Sequence, residues 1–537
     1  MSEETGWTFS KEDREPGRDK VRRPGRMLML FKALVALALL GVTAYGMIND
    51  GLYSDDLWLP VAVGILALLL VTVFVRGYYV DVPAAGWALF ALLVALAAIK
   101  GVSITWTLSE TETIKEFLRC SMYVAAFLLA LGALNSGRQV APLMDVAVLI
   151  VVAVAGYGLM QKISPVQYPV TSLDKVRIDS TLDYVNTFAM VLGMGVVLAL
   201  ARMARLRNAV LRGLYAVFVL AFLVALLLTV SRGGIASLGV GLMALFILTS
   251  DRLQIFANLA LVSIPGAWLF WEMKDLKGLW SLVPNEQKIA DGTAFRDYLI
   301  IALAVAFVLQ AGYSLVFSRY ELLPLGRRTL GALALGGVVL VGLAAAFVVV
   351  SQYGGVEKTY QALVNNPVNT KNASQRLASA SIGFRADYWK VAWDEWKEHP
   401  LTGSGAGTFQ YVWLKNRPIT TGVKQVHNLY LEQGTETGIF AFLALVSFVA
   451  LLLGYTARAA WRSGARGDRR VLLSGLVAAA VVYLVSSVIE WHWYIPPSTL
   501  FFFILAAIAV KLAAEKDWET SEEIIAEGGR GPAVGKQ

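Results

Sequence analysis

The chain has 537 residues, 57% of them hydrophobic and 16% charged, with a mean hydropathy of +0.60. That balance excludes a soluble or disordered chain and indicates an integral membrane protein. The net charge of +8 requires no nucleic acid, because basic loops lying against anionic lipid account for it.

Apolar blocks long enough to cross roughly 30 Å of hydrocarbon as helices recur about fourteen times. Backbone amides need partners in lipid, and the blocks are too long and continuous for alternating barrel strands. The expected fold is therefore all-α: a polytopic membrane bundle of about 14 transmembrane helices with one large ordered exoplasmic loop. The chain divides into a basic tail (1–26), a transmembrane bundle (27–350), the large loop (351–427), C-terminal transmembrane helices (428–513) and a polar tail (514–537).

The first segment is too long and polar for a cleavable signal, and the block after Arg26 reads as a full span, a signal anchor at most. Its Arg14, Arg18, Lys20, Arg22, Arg23 and Arg26 begin a charge alternation that continues along the chain. RMARLRNAVLR at 202–212, SRYELLPLGRR at 318–328 and RAAWRSGARGDRR at 458–470 are basic, whereas NDGLYSDD at 49–56 and LSETETIKE at 108–116 are acidic or mixed. The positive-inside rule assigns the first set and both termini to the cytoplasm, and the second set to the outside. Asp55 and Asp56 in the first outward loop read as solvated acids rather than metal ligands. The single cysteine, Cys120, lies in an apolar block, which leaves neither a disulfide framework nor a thiolate metal site.

The segment Ser351–His427 separates two spans and faces outward by the same parity. Within it, RADYWKVAWDEWKEHP places Trp389, Trp393 and Trp396 on one helical face, stopped by Pro400. That face either packs onto the bundle or stacks on sugar, with packing favoured. LTGSGAGTF follows, with Gly403, Gly405 and Gly407 alternating. No Rossmann context surrounds them, so the turn brings backbone close either to another helix or to a phosphate. VHNLYLEQGTETGI then sets His427 and Asn428 at the lip of a span, with Glu436 positioned to orient partners or to favour the helix dipole. His399, before Pro400, and His492, in EWHWYIPP, read as structural.

These stretches resemble the bacterial O-antigen ligase and O-antigen polymerase family of membrane glycosyltransferases. RADYWKVAWDEWKEHPLTGSGAGTF and VHNLYLEQGTETGI carry the likeness, supported by TVSRGG at Thr229–Gly234 and RIDSTLDYVNTFAMVLG at Arg177–Gly193. Ser180, Thr181, Asp183 and Asn186 depart from the family's usual pattern there. The resemblance implies transfer of a glycan from undecaprenyl diphosphate to an acceptor hydroxyl, on the periplasmic face of the bacterial inner membrane. The acceptor is a lipid A-core in a ligase, another lipid-linked repeat in an O-antigen or exopolysaccharide polymerase, or a protein hydroxyl in an oligosaccharyltransferase relative. The late exoplasmic loop leans toward a ligase.

By the loop count, Arg177, Arg232, Arg385 and His427 share the outward face. Guanidinium forks match diphosphate oxygens, so Arg177, Arg232 and Arg385 are the expected diphosphate ligands. Imidazole titrates near neutrality, so His427 is the expected base for the acceptor hydroxyl, with Arg232 beside it as a catalytic group. Asn428, Glu436, Gly403, Gly405 and Gly407 are supporting residues. The scheme needs no cofactor or metal, and direct attack implies inversion. A solute or anion transporter is the rival reading, but it would place charge near the middle of the membrane rather than at one rim.

Overall fold

The computed structural model describes residues 25–171, 175–317, 324–365, 383–464 and 468–515. The basic N-terminal tail, residues 366–382 of the long loop, part of the 318–328 loop and the polar C-terminal tail lie outside the described residues. What is described is helical. The first half runs through α1 (Arg26–Ile48), α2 (Asp55–Val73), α3 (Ala84–Val102), α4 (Glu110–Ala133), α5 (Val140–Ile163), α6 (Val185–Arg205), α7 (Ala209–Leu228), α8 (Arg232–Leu248) and α9 (Arg252–Met273). Short α10 (Lys277–Trp280) leads to α11 (Asn285–Phe317) and α12 (Pro324–Gln352). Three shorter helices, α13 (Val356–Asn365), α14 (Arg385–Glu398) and α15 (Phe409–Asn416), precede α16 (Leu429–Arg462), α17 (Asp468–Ser486) and α18 (Pro496–Ala514).

Among the described residues, twelve helices are long and apolar enough to cross a membrane, against about fourteen expected. Two apolar helices fall short of that standard: α8, with 17 residues, and the stretch Thr329–Ala344 within α12. At 1.5 Å per residue α8 is about 25 Å long, slightly under the hydrocarbon thickness.

The centre of the bundle is α4, α6, α17 and α18, which are largely enclosed by the others. Hydrophobicity alone cannot drive helices together in lipid, so close packing between small residues does much of that work. A Cβ on Gly241 of α8 would stand 2.3 Å from Val482 of α17, and one on Gly234 would stand 2.5 Å from Ala189 of α6. Gly475 of α17 meets Ala201 of α6 in the same way, at 2.5 Å. These contacts fix the start of α8, and therefore Ser231 and Arg232, against α6.

α16 is broken near its start. Gly438 has φ 73° and ψ −172°, a conformation open to glycine. A Cβ there would lie 2.0 Å from the Leu401 carbonyl, and the Ile439 amide donates to the Pro400 carbonyl at 2.9 Å. The break is where the turn after α14 docks, and it ties the loop elements to the bundle.

Candidate functional site

The four outward-facing residues of the sequence reading come from four separate elements; a fifth residue joins two of them directly and a third through Asn186. Arg177 precedes α6, Arg232 opens α8, Arg385 opens α14 and His427 precedes α16. The joining residue is Glu490, in the turn between α17 and α18 and 4% exposed. Its Oε1 accepts from Asn186 Nδ2 at 2.7 Å and from the Arg385 guanidinium, which also donates to the Ile489 carbonyl at 2.8 Å. Its Oε2 accepts from the Tyr184 hydroxyl at 2.5 Å and lies 3.5 Å from His427 Nδ1.

Asn186 carries the network on. Its amide donates to Tyr184 and Glu490, while its carbonyl oxygen accepts from Arg177 Nη2 at 2.8 Å and from the Ser231 hydroxyl at 3.0 Å. Two donations and two acceptances satisfy the side chain fully. Arg177 is buried and also donates Nε to the Thr229 carbonyl at 2.6 Å. It therefore holds the end of α7 as well as Asn186. Arg232 follows Ser231 directly, and its side chain is partly exposed. Ser231 caps α8 by accepting from the Gly234 amide.

Backbone strain concentrates here. Val230 has φ 51° and His427 has φ 57°, left-handed values that are costly for residues with a Cβ, above all a β-branched one. The first turns the chain from α7 into the Ser231–Arg232 corner. The second aims the imidazole between Tyr388 and Trp491, whose ring centroids lie 5.6 and 6.1 Å away.

Burial would raise the Glu490 carboxyl, but the Arg385 guanidinium, with the neighbouring imidazoles, outweighs it and holds the group down to about 2. Burial pulls His427 below its ordinary value, with Arg385 adding to the effect and Glu490 opposing it. At neutral pH the pair is thus a carboxylate beside a neutral imidazole. No aligned hydrogen bond joins them. His492 is buried between Thr187 and Ser486, which it meets at 2.8 and 2.7 Å, and burial presses it down to about 4. His399 lies 3.8 Å from Glu395 on the rim of α14.

The supporting residues separate into roles. Asn428 is the N-cap of α16, accepting from the Tyr430 and Leu431 amides. Glu436 accepts from the Gly407 and Phe409 amides at 2.8 and 3.1 Å, while its carbonyl accepts from Gly405 at 2.7 Å. The Ser404 amide donates to the Thr435 carbonyl. Of the two readings of the glycine turn, packing against a helix is the one realised. The Ser404, Gly405 and Gly407 amides donate to α16 and the Gly403 amide to the His399 carbonyl, and a Cβ on Gly403 would stand 2.3 Å from Glu436 while one on Gly405 would stand 2.1 Å from Thr107. The phosphate alternative is corrected on that ground.

The tryptophan face is also divided. Tyr388, Val391 and Ala392 form the buried stripe of α14, packed with Phe409, Val412 and Trp413 of α15 and with Val426. Trp396 lies against Phe442 of α16 and covers Gly434, whereas Trp393 is 51% exposed. Asp55 pairs with Lys115 at 2.7 Å and accepts from Trp58.

Sequence reasoning missed Glu490 and placed little weight on Tyr184 and Asn186. A signal was present: a lone acid in an apolar, aromatic turn between two spans needs a partner.

Residues 298–446 match a family model described as O-antigen ligase. That range contains Arg385, the glycine turn and His427, and leaves Arg177, Arg232 and Glu490 outside it. A stretch of 124 residues is 28% identical to an uncharacterized protein of Haemophilus influenzae. It covers 22% of this chain and 30% of that relative, so the chain spans under a third of the relative's length.

Proposed function

Residues 298–446 carry an O-antigen ligase family domain, and from that premise we propose that the protein is a membrane glycosyltransferase acting at the Glu490 end of the bundle. The donor is a glycan on undecaprenyl diphosphate, and the acceptor is a hydroxyl on a lipid A-core or another glycan. The reaction takes place on the periplasmic face of the bacterial inner membrane, with both termini cytoplasmic and with α8 and α12 completing fourteen passes. The observation that carries this reading is the Glu490 network, which joins Asn186, Arg385 and His427 from distant parts of the chain.

The chemistry divides among these residues. A carboxylate beside Nδ1 favours the tautomer with its proton on that nitrogen, leaving Nε2 to take the proton of the acceptor hydroxyl. The freed oxygen attacks the anomeric carbon from the side opposite the diphosphate, so the configuration inverts. Arg232, partly exposed at the N-terminus of α8, meets the charge developing on the leaving diphosphate, where the helix dipole adds to its own charge. Arg385 assists from the loop while locked to Glu490. Arg177 serves mainly by holding Asn186 and the α7–α8 corner, a refinement of its expected role as a direct diphosphate ligand.

A transport pathway is disfavoured by where the charges sit. Lys100, Glu116, Arg119, Glu432 and Glu436 are buried, and all lie within about three turns of the Glu490 end of their helices, away from the midplane sites of transporters. Purified protein given an undecaprenyl-diphosphate glycan and an acceptor should form a transfer product, and Arg232→Ala and His427→Ala should each abolish it while still inserting. Liposome uptake without any transfer product would overturn the reading, and full activity in either variant would remove that residue from the mechanism.

A further inference from the structure

A cavity of about 310 Å³ opens beside the Glu490 network, on the far side of an aromatic wall. Trp491 is that wall: its ring meets Tyr184 at 4.5 Å and His427 at 6.1 Å on the network side, and Tyr53, which lines the cavity, at 5.5 Å. Tyr494 also lines the cavity and donates its hydroxyl to Glu432 at 2.8 Å. The other oxygen of Glu432 accepts from the amide of Val426, the residue before His427. Gln425, two positions before His427, is part of the lining. Cavity and imidazole are therefore held by the same short segment.

The lining is built rather than incidental. The Arg119 guanidinium is clamped between the rings of Trp58 and Tyr494, 4.6 and 4.9 Å from their centroids, and pairs with Glu116. Glu116 is 2% exposed and Arg119 is 7% exposed. Glu116 Oε2 and Arg119 Nε are buried without a hydrogen-bond partner among the described residues, which is costly. Lys115 bridges Asp55 at 2.7 Å and Glu112 at 3.2 Å.

Charge balance selects the ligand class. Asp55, Glu112 and Glu116 match Lys115, Arg119 and Lys424, so the cavity offers no net attraction to a phosphate or a cation. What it does offer is a dense set of planar donors and acceptors, including Gln410 and Gln425, with the Tyr53 ring at one edge. Vicinal hydroxyls bridge carboxylate, amide and guanidinium groups, and the apolar face of a pyranose lies against an aromatic ring. The volume is at the lower end of the range for small-molecule sites, about 300–1,000 Å³.

We propose that this cavity is a subsite for an uncharged sugar unit of a glycan strand reacting at His427. Its catalytic relevance rests on the transferase reading, whereas its binding does not. The sugar belongs either to the acceptor or to the donor glycan beyond the transferred bond, and kinetics separate the two. Saturation-transfer NMR on the purified full chain with neutral di- and tetrasaccharides should show binding that Tyr53→Ala and Gln410→Ala each weaken at least tenfold. Inorganic diphosphate should not displace it. In transfer assays the same variants should raise KM for one substrate, acceptor or donor, at least fivefold with kcat within twofold, and the affected substrate identifies the strand. Saccharide binding unchanged in both variants, displacement by diphosphate, or both KM values unmoved would overturn the proposal. Binding lost in Tyr53→Ala from a protein that transfers no glycan would leave the subsite standing and sink the transferase reading instead.

Discussion

Arginine is used differently at the two ends of the bundle. At the end holding the 202–212 and 458–470 segments, it pairs with carboxylates of neighbouring helices, as Arg205 does with Asp251 and Asp468, or closes helix ends. Arg202 grips Asp145 with two bonds of 2.8 and 3.1 Å, Arg252 donates to the Phe246 carbonyl at 2.7 Å, and Arg470 donates to the Leu248 carbonyl at 2.8 Å. Cations at helix C-termini answer the dipole and the unpaired carbonyls, and each such contact stabilises modestly. At the other end, Arg385 and the Arg177–Asn186 pair converge on one buried carboxylate, with an imidazole alongside. The first arrangement ties helices and secures their ends; the second sets an imidazole beside a buried carboxylate, with left-handed backbone at Val230 and His427.

Substitutions at the two ends should therefore diverge. Glu490→Ala has the largest expected effect: it strands Arg385 and the Asn186 amide, destabilising the fold by about 3–5 kcal/mol and removing at least a hundredfold of transfer, within the usual ~10²–10⁴ range for acid–base groups. Thermal unfolding and turnover on the same preparation measure both. The pH profile sharpens the assignment. Because His427 lies below its ordinary value and Glu490 at about 2, the rate should be flat at neutral pH and fall on acidification only below pH ~6.5, the ordinary imidazole value. Glu490 favours the imidazolium, so any residual activity of Glu490→Gln should have its acid limb moved to lower pH.

Arg385→Lys keeps the charge and loses the fork, so a drop of about tenfold in turnover is expected, roughly the worth of one charge-assisted hydrogen bond. Gly405→Ala probes the docked turn. At φ 103°, with Thr107 2.1 Å from the added Cβ, it should cost about 1–3 kcal/mol, seen as a lower Tm. Arg252→Ala, at the basic end, should change stability by under about 1 kcal/mol and leave transfer unaltered.

Much of this was legible in the sequence because the membrane imposes a coarse code. Hydropathy gave the twelve spans seen among the described residues, though about fourteen were expected, and the alternation of basic loops grouped Arg177, Arg232, Arg385 and His427 on one face. Packing was harder to read. Whether glycines at 403, 405 and 407 approach a phosphate or a helix depends on the break at Gly438, which sequence spacing does not reveal. Glu490 was missed because its partners Asn186 and Tyr184 lie 304 and 306 residues away, and only folding brings them together. The tryptophan spacing foretold a helix, but its buried stripe runs through Tyr388, Val391 and Ala392 instead, because α15 packs on that side.

The most direct test is glycan transfer by the purified full chain in lipid nanodiscs, supplied with an undecaprenyl-diphosphate glycan and an acceptor, comparing wild type, Glu490→Gln and Arg202→Ala. The network account predicts equal rates for wild type and Arg202→Ala, and a loss of at least about a hundredfold in Glu490→Gln at an unchanged level of inserted, folded protein. Wild-type transfer by Glu490→Gln would contradict it.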